Sequence, residues 1–233
     1  MKRRTKYFSF LFIFSILLIA LSTACSENSS SAGDSFDASV VCPAEGLNAY
    51  GEPNRGTFID ERDGQEYKYT TIGKQVWMAE NLNVETENSY CADDACLKGR
   101  VYAQSSATSV CPTGWHLPTN DEWQTLFENM GGADTAGYRL KAMAGWLPLN
   151  PGELSNGTDD CAFGVLPIPI TSIYTTHSYN PNKLDGYAAL LWTADINDLS
   201  KTTIGIVFES QTIKATHINY DQYDFLSIRC VKD

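Results

Sequence analysis

The sequence predicts an α+β domain of short antiparallel strands, two short helices and long ordered loops. Three observations carry this. Apolar residues recur at period two in several runs of four to six residues, at helical period in only two stretches, and Pro, Gly, Asn and Thr crowd the long segment Leu147–Asp185. No repeat at a solenoid period is present.

The chain has 233 residues and opens with a targeting segment. Lys2, Arg3, Arg4 and Lys6 form a basic region, and Phe8–Leu21 is apolar apart from two serines. That length suits the core of a signal peptide better than a membrane span. The run ends at Leu21-Ser22-Thr23-Ala24-Cys25, which resembles a bacterial lipoprotein signal. The reading is a signal peptide over residues 1–24 and Cys25 as the lipidated (palmitate-bearing) N-terminus. Ser26, in place of an aspartate that retains some lipoproteins at the inner membrane, leans towards the outer one.

Residues 1–24 carry four of the 17 basic residues and none of the 28 acidic ones, so the exported chain has 13 against 28, a net charge of −15. Phosphate backbones need basic neutralisation, so nucleic acid is excluded as a partner class. Residues 25–41 are polar and serine-rich over most of their length and read as a flexible tether. Its reach is roughly 20–24 Å. Residues 42–56 read as an irregular, pinned lead-in, and the compact domain as 57–233. Glu52-Pro53-Asn54 within the lead-in has no partner motif and reads as coincidence.

In the domain, Tyr67, Tyr69 and Thr71 alternate with polar residues. Gly73-Lys74 supplies a turn and Gln75–Met78 resumes, which predicts a hairpin. Asn83–Lys98 reads as a polar surface excursion. The next stretch, Cys111–Gly132 (CPTGWHLPTNDEWQTLFENMGG), reads as a rigid turn feeding a helix. Pro112, Gly114 and Pro118 fix its approach, through Trp115 and His116. Thr119 is placed as N-cap, with Glu122 completing a capping box. Trp123, Leu126, Phe127 and Met130 then make one apolar face, and Gly131-Gly132 the stop. Thr135–Ala144 gives a second helical pattern through Tyr138, Leu140, Met143 and Ala144. Leu190–Thr193 is a further strand candidate. Ile204, Ile206 and Phe208 alternate in the next, with Ile213 and Ala215 in a hairpin partner across Ser210-Gln211. Leu226, Ile228 and Cys230 share a face of the last.

Besides Cys25 there are six cysteines, Cys42, Cys91, Cys96, Cys111, Cys161 and Cys230. An even number in an exported chain points to disulfides, with 15 possible connectivities. Cys91 and Cys96 bracket a four-residue acidic loop and pair locally; the others stay open on this ground. No His or Cys pair of metal-ligand spacing lies nearby.

Asp60–Leu82, Cys111–Trp123, Ala136–Lys141 running on to Trp146, Gly157–Pro167 (GTDDCAFGVLP) and Ser227–Asp233 (SIRCVKD) together resemble the Fibrobacter succinogenes major paralogous domain, with the five motifs in the family's order over residues 57–233. The resemblance implies a fold similar to the sulfatase-modifying, C-type-lectin-like fold, and exported bacterial lipoproteins without an established chemistry. It also implies that Cys111 pairs with Cys230, which leaves Cys42 to Cys161. In the family the Cys161 position is more often tyrosine.

No catalytic residue is assigned. His116, His177 and His217 are dispersed, His116 in a structural turn, and no nucleophile or phosphate-loop pattern occurs. Asp159-Asp160 and Asp195 with Asn197 and Asp198 offer oxygens to calcium but lack an ordered ligand spacing, so no metal or cofactor is assigned. Trp115, Trp123, Trp146 and Trp192 fit core packing better than sugar stacking. The functional expectation is a non-enzymatic envelope module, membrane-bound through Cys25, that binds or adheres to carbohydrate or a cell-surface protein. The alternatives are an exported enzyme acting on a polysaccharide or a protein side chain, and a purely structural envelope component. The Asn83–Lys98 and Leu147–Asp185 loops are where a ligand is expected.

Overall fold

Asp37 opens the folded region, because its carboxylate accepts the Ser39 amide proton at 2.9 Å and caps a helical turn, Ala38–Val41 (α1). The computed structural model describes residues 36–168, 186–197, 205–209, 215–218 and 225–233, all within one unit, Asp34–Asp233. Phe36 packs on the core, with the Arg139 guanidinium 4.1 Å from its ring centre. The folded part therefore already includes the last residues of the stretch that composition marks as flexible tether. Composition misleads here because the polar run ends just before an aromatic anchor.

Three strands follow, Arg55–Ile59 (β1), Glu66–Ile72 (β2) and Gln75–Met78 (β3). The expected hairpin joins β2 to β3, with Ile72 opposite Gln75 and Gly73 in the left-handed region at φ 59°. β1 is additional to the expected strands, and it begins inside the lead-in. As an edge strand with Ile59 exposed, it shows no strict alternation. Ser89–Cys91 (β4), Arg100–Ala103 (β5) and the helical turn Gln104–Ala107 (α2) precede Trp115–His116 (β6), Asn120–Asn129 (α3) and Ala133–Leu140 (α4). Ala188–Trp192 (β7) leads to a 3-10 turn, Ala194–Asn197. Gly205–Glu209 (β8), Ala215–Ile218 (β9), Phe225–Ser227 (β10) and Val231–Lys232 (β11) complete the described strands. β8 and β9 pair antiparallel as expected, while Ile204, Ser210, Gln211 and Ile213 lie outside the described residues.

The strands form two sheets, in the orders β1-β2-β3-β11-β6 and β4-β5-β10-β7-β8-β9. All pairings are antiparallel except β10 with β7, so the second sheet is mixed. The expected α+β class holds, with one parallel pairing in the second sheet and the single turns α1 and α2 added to the two expected helices. Residues 228–230 cross from one sheet to the other. Met78 and Leu82 donate their amides to Cys230 and Ile228 at 3.0 and 2.9 Å, so backbone pairing continues through the crossing.

The inner strands β3, β7 and β10 are covered on both faces. Trp77, Leu191, Ile206 and Phe208 face a core with α3 and α4, whereas Val76, Met78, Leu190, Trp192, Leu226, Ile228 and Cys230 face a second one. Trp115, Trp123, Trp146 and Trp192 are all buried, as packing residues rather than an exposed stacking surface. Trp77 meets Trp123 at 4.8 Å and Phe163 at 5.9 Å between ring centres. All three disulfides are present, Cys42–Cys161, Cys91–Cys96 and Cys111–Cys230, with Cα separations of 5.5, 4.6 and 5.9 Å.

The expected capping box of α3 forms. The Thr119 hydroxyl accepts the Glu122 amide at 3.2 Å, and the Glu122 carboxylate accepts the Thr119 amide at 2.8 Å. Asp195 adds a further acceptor for the Asn120 amide at 2.7 Å, so it caps a helix. α4, by contrast, stops at Leu140 rather than Ala144. Lys141 turns extended so that its buried ammonium donates to the carbonyls of Ser155 and Glu209 at 3.0 and 2.9 Å, and Met143 is left 69% exposed. Gly157 permits this turn, because a Cβ there would meet the Lys141 and Tyr138 carbonyls at 2.2 and 2.4 Å.

His116 ties the C-terminal residue to α3. Its Nδ1 lies 2.7 Å from an Asp233 carboxylate oxygen and its Nε2 2.8 Å from Glu122 Oε1. A neutral imidazole has one N–H, so both contacts are hydrogen bonds only in the imidazolium. Burial pulls the His116 pKa down, but the two carboxylates together outweigh it and hold the pKa above 6.5.

Thr119→Ala should cost about 1 kcal/mol of unfolding free energy through the lost cap, and Trp123→Ala about 3–5 kcal/mol through the cavity it leaves, both read from denaturant midpoints. The His116 contribution is complete below pH 6.5, the unfolded value, and is lost as pH rises through the higher folded value. Denaturant midpoints taken across that window should fall in the native chain relative to His116→Gln; parallel curves would contradict the imidazolium bridge.

Candidate functional site

A cleft of about 330 Å³ lies between the Cys91–Cys96 loop, the segment that leaves β3 and the turn at Gly164. Gln65, Glu80, Asn81, Asn83 and Lys98 give it polar walls, Tyr67, Leu97 and Leu166 apolar ones, and Arg229 its floor. It falls in the size range of small-molecule sites. The sequence places it there for a local reason. After β3 the Ala79–Leu82 segment runs beside residues 228–230, which turns Asn81 and Arg229 to the same side of the crossing.

Arg229 is 2% exposed. Its Nε donates to Asn81 Oδ1 at 2.9 Å, Nη2 to the Gly164 carbonyl at 2.8 Å and Nη1 to the Phe163 carbonyl, and the guanidinium lies 4.6 Å from the Phe163 ring centre. Burial draws its pKa from 12.5 down to about 10, against the pull of Asp159 and Glu80, so it stays charged at neutral pH. Asp159 accepts the Gly164 amide at 2.7 Å, and burial raises its pKa. The Asp159-Asp160 pair is therefore divided between roles, since Asp160 lies 3.8 Å from Arg139.

Asn81 bridges floor and wall, because its Nδ2 also donates to the Lys98 carbonyl at 3.0 Å. Gly99 makes this approach possible. Its φ is +82°, and an added Cβ would stand 2.8 Å from Asn81 Cβ. On the other wall the Tyr67 hydroxyl accepts the Asn83 amide at 2.8 Å, and burial pushes the Tyr67 phenol up to about 12. It remains protonated. The loop wall holds itself together: Asp93 accepts the Leu97 and Lys98 amides at 2.7 and 3.1 Å, and Ala92 donates to the Gly99 carbonyl at 2.9 Å. Behind it the Arg100 guanidinium lies 3.3 Å from Cys91 Sγ and 3.4 Å from Cys96 Sγ.

Of the residues singled out in the sequence, Cys96 lines this cleft and Cys91 closes its loop. Trp115, His116, Pro118, Thr119, Glu122 and Trp123 form the approach to α3 and do not line it. The hydrophobic run Phe8–Leu21, Cys25, His177 and Asp198 lie outside the described residues, as do positions 169–185 of the expected Leu147–Asp185 ligand loop. Gly164 and Leu166, from the described half of that loop, do reach the cleft, so it and the Asn83–Lys98 excursion meet there.

Arg229 and Asn81 carry no role in the sequence patterns, although both stand in the motifs of the family resemblance. The available signal was a charged residue between Ile228 and Cys230, in a run whose alternate members are apolar. Among the described residues, no group of three His, Cys, Asp or Glu side chains is arranged to hold a metal ion, and no helix is long and apolar enough to cross a membrane. Chemically, the cleft offers amide donors and acceptors beside one carboxylate and one ammonium group, over a rigid cationic floor. That set suits hydrogen-bonded recognition of a small polar ligand.

The family model described as Fibrobacter succinogenes major domain matches residues 70–232. No curated protein and no solved structure matches the chain. The matched span contains Asn81, Phe163, Gly164 and Arg229, so the whole anchor of the cleft floor lies within it.

Arg229→Met keeps an apolar stem but leaves two buried acceptors and one half-buried acceptor without their donor. It should cost on the order of 3–5 kcal/mol of stability, the scale of breaking a buried charged cluster. Denaturant unfolding measures it, and a loss below about 1 kcal/mol, the scale of a surface pair, would contradict the role given to the guanidinium.

Proposed function

Because the chain belongs to the Fibrobacter succinogenes major domain family, we propose that it is an exported bacterial envelope protein, lipid-anchored through Cys25, whose domain binds carbohydrate through the cleft beside the Cys91–Cys96 loop. The observation that carries this reading is the cleft's polar lining: Gln65 and Asn83 bring amide groups to it beside Glu80 and Lys98, a set of hydrogen-bonding groups that matches the hydroxyls of a sugar, while the Asn81 amide is held by Arg229 and the Lys98 carbonyl. Its volume, about 330 Å³, accommodates a small saccharide. The lectin-like fold that the family resemblance implies would favour the same ligand class by analogy only.

The N-terminal layout supports the anchor. A basic region, an apolar core and small residues precede Cys25, and Ser26 favours the outer membrane. A net charge of −15 on the exported chain, from 13 basic and 28 acidic residues, suits a solvated surface protein.

The test is a glycan and polysaccharide binding screen of residues 26–233, with and without calcium, followed by product analysis of every hit. Saturable binding without new products is the expected result, and Asn83→Ala should weaken it by about 2- to 12-fold, the equivalent of one neutral hydrogen bond. Released sugars would replace this reading with that of an exported enzyme. Absence of any glycan binding would overturn the carbohydrate assignment.

A further inference from the structure

We infer that Cys91–Cys96 is a thiol–disulfide exchange site, reducible by a dithiol while the other two bridges stay closed, and that its state sets the order of the cleft wall. The inference does not depend on which ligand the cleft takes. Three observations carry it.

The first is access. Cys91 is exposed and Cys96 half-buried, whereas Cys42, Cys161 and Cys230 are at most 1% exposed. Each of the other bridges therefore has at least one sulfur in a buried residue, and an attacking thiolate must reach sulfur along the S–S axis. The second is charge. Arg100 is 8% exposed and puts one guanidinium nitrogen within 3.4 Å of both sulfurs. Its position is fixed on the other side by Ser89 Oγ, 3.1 Å from Nε, and Glu85, 3.1 Å from Nη2. A cation held there stabilises whichever sulfur leaves as thiolate, and so favours both attack and the reduced form. The third is local consequence. The bridge spans five residues against 119 for each of the others, so opening it frees the loop that walls the cleft and leaves the core cross-links intact.

The exchange balances with a dithiol as reductant. One thiolate of the dithiol attacks Cys91 Sγ, a mixed disulfide forms, and Cys96 leaves as a thiolate facing Arg100. The second thiolate of the reductant then attacks its own sulfur in the mixed disulfide and releases Cys91. Two electrons pass to the protein's sulfurs, the reductant ends as a disulfide, and its two protons go to the cysteines or to solvent.

The experiment titrates the full chain with dithiothreitol under native conditions, traps thiols with iodoacetamide and maps the labelled cysteines by mass. Cys91 and Cys96 should label at dithiothreitol levels that leave Cys42, Cys111, Cys161 and Cys230 unlabelled. In the same samples amide exchange should quicken at Ala92 and Gly99, whose amides now bond within the loop. Simultaneous labelling of all three bridges, or later labelling of Cys91 and Cys96, would overturn the inference. Arg100→Gln should lower the equilibrium constant for reduction by about tenfold, or about 30 mV for a two-electron couple, with Arg100→Lys retaining most of it. An unchanged constant in Arg100→Gln would remove Arg100 from the mechanism.

Discussion

Burial of the Arg229 guanidinium is the constraint on which the rest of the structure depends. Moving an isolated cation out of water costs several kcal/mol even after relaxation, so the group is tolerable only where acceptors surround it. The chain provides them from distant places: Asn81 after β3, and the carbonyls of Phe163 and Gly164, 148, 66 and 65 residues away in sequence. Hydrogen bonds to a charged group contribute about 1.5–3 kcal/mol each, enough together to offset the desolvation. Few alternative arrangements would satisfy all three, so the charge specifies the packing as well as stabilising it. The surface pair Lys68–Glu80, with side chains 70% and 42% exposed, has no comparable influence.

The two long disulfides converge on the same place. Cys230 follows Arg229 directly, and Cys161 precedes Phe163 by two residues. Each bridge spans 119 residues, for which the chain-entropy argument gives about 4–5 kcal/mol apiece as an upper figure, since the loops overlap and their effects do not add. Thr70 strengthens the junction by donating its hydroxyl to the Cys161 carbonyl at 2.6 Å. Cross-links placed here hold the acceptors of Arg229 near it even when neighbouring strands fluctuate.

Local chemistry is legible in the sequence where one residue type has one strong use. Thr119 with Glu122 announces the capping box, Trp123, Leu126, Phe127 and Met130 the buried helix face, and Gly73-Lys74 the hairpin turn. Signals fail where tertiary contacts override local preference. The end of α4 moves to Leu140 because the Lys141 ammonium seeks carbonyls on two other segments, and no window of neighbouring residues contains that information. β1 escapes the alternation rule because an edge strand exposes part of each face. The cleft is only half legible: the loops expected to carry a ligand do meet there, but its floor is a pairing between residues 148 apart, hidden from any short-range pattern.

The cleft thus joins two kinds of structure with different mechanical character. Its floor is held by a buried cation, three acceptors and two core disulfides, which leaves it little freedom to rearrange. Its outer wall, residues 92–99, is held by loop hydrogen bonds and one short bridge, and touches the floor through Asn81 Nδ2 on the Lys98 carbonyl. Substitution in the wall can therefore alter the lining without endangering the core, whereas substitution at Asn81 acts on both parts at once. A rigid floor beneath a separately held loop lets the lining vary while the scaffold persists. Gly99 marks the boundary, because its missing Cβ lets the loop return against Asn81.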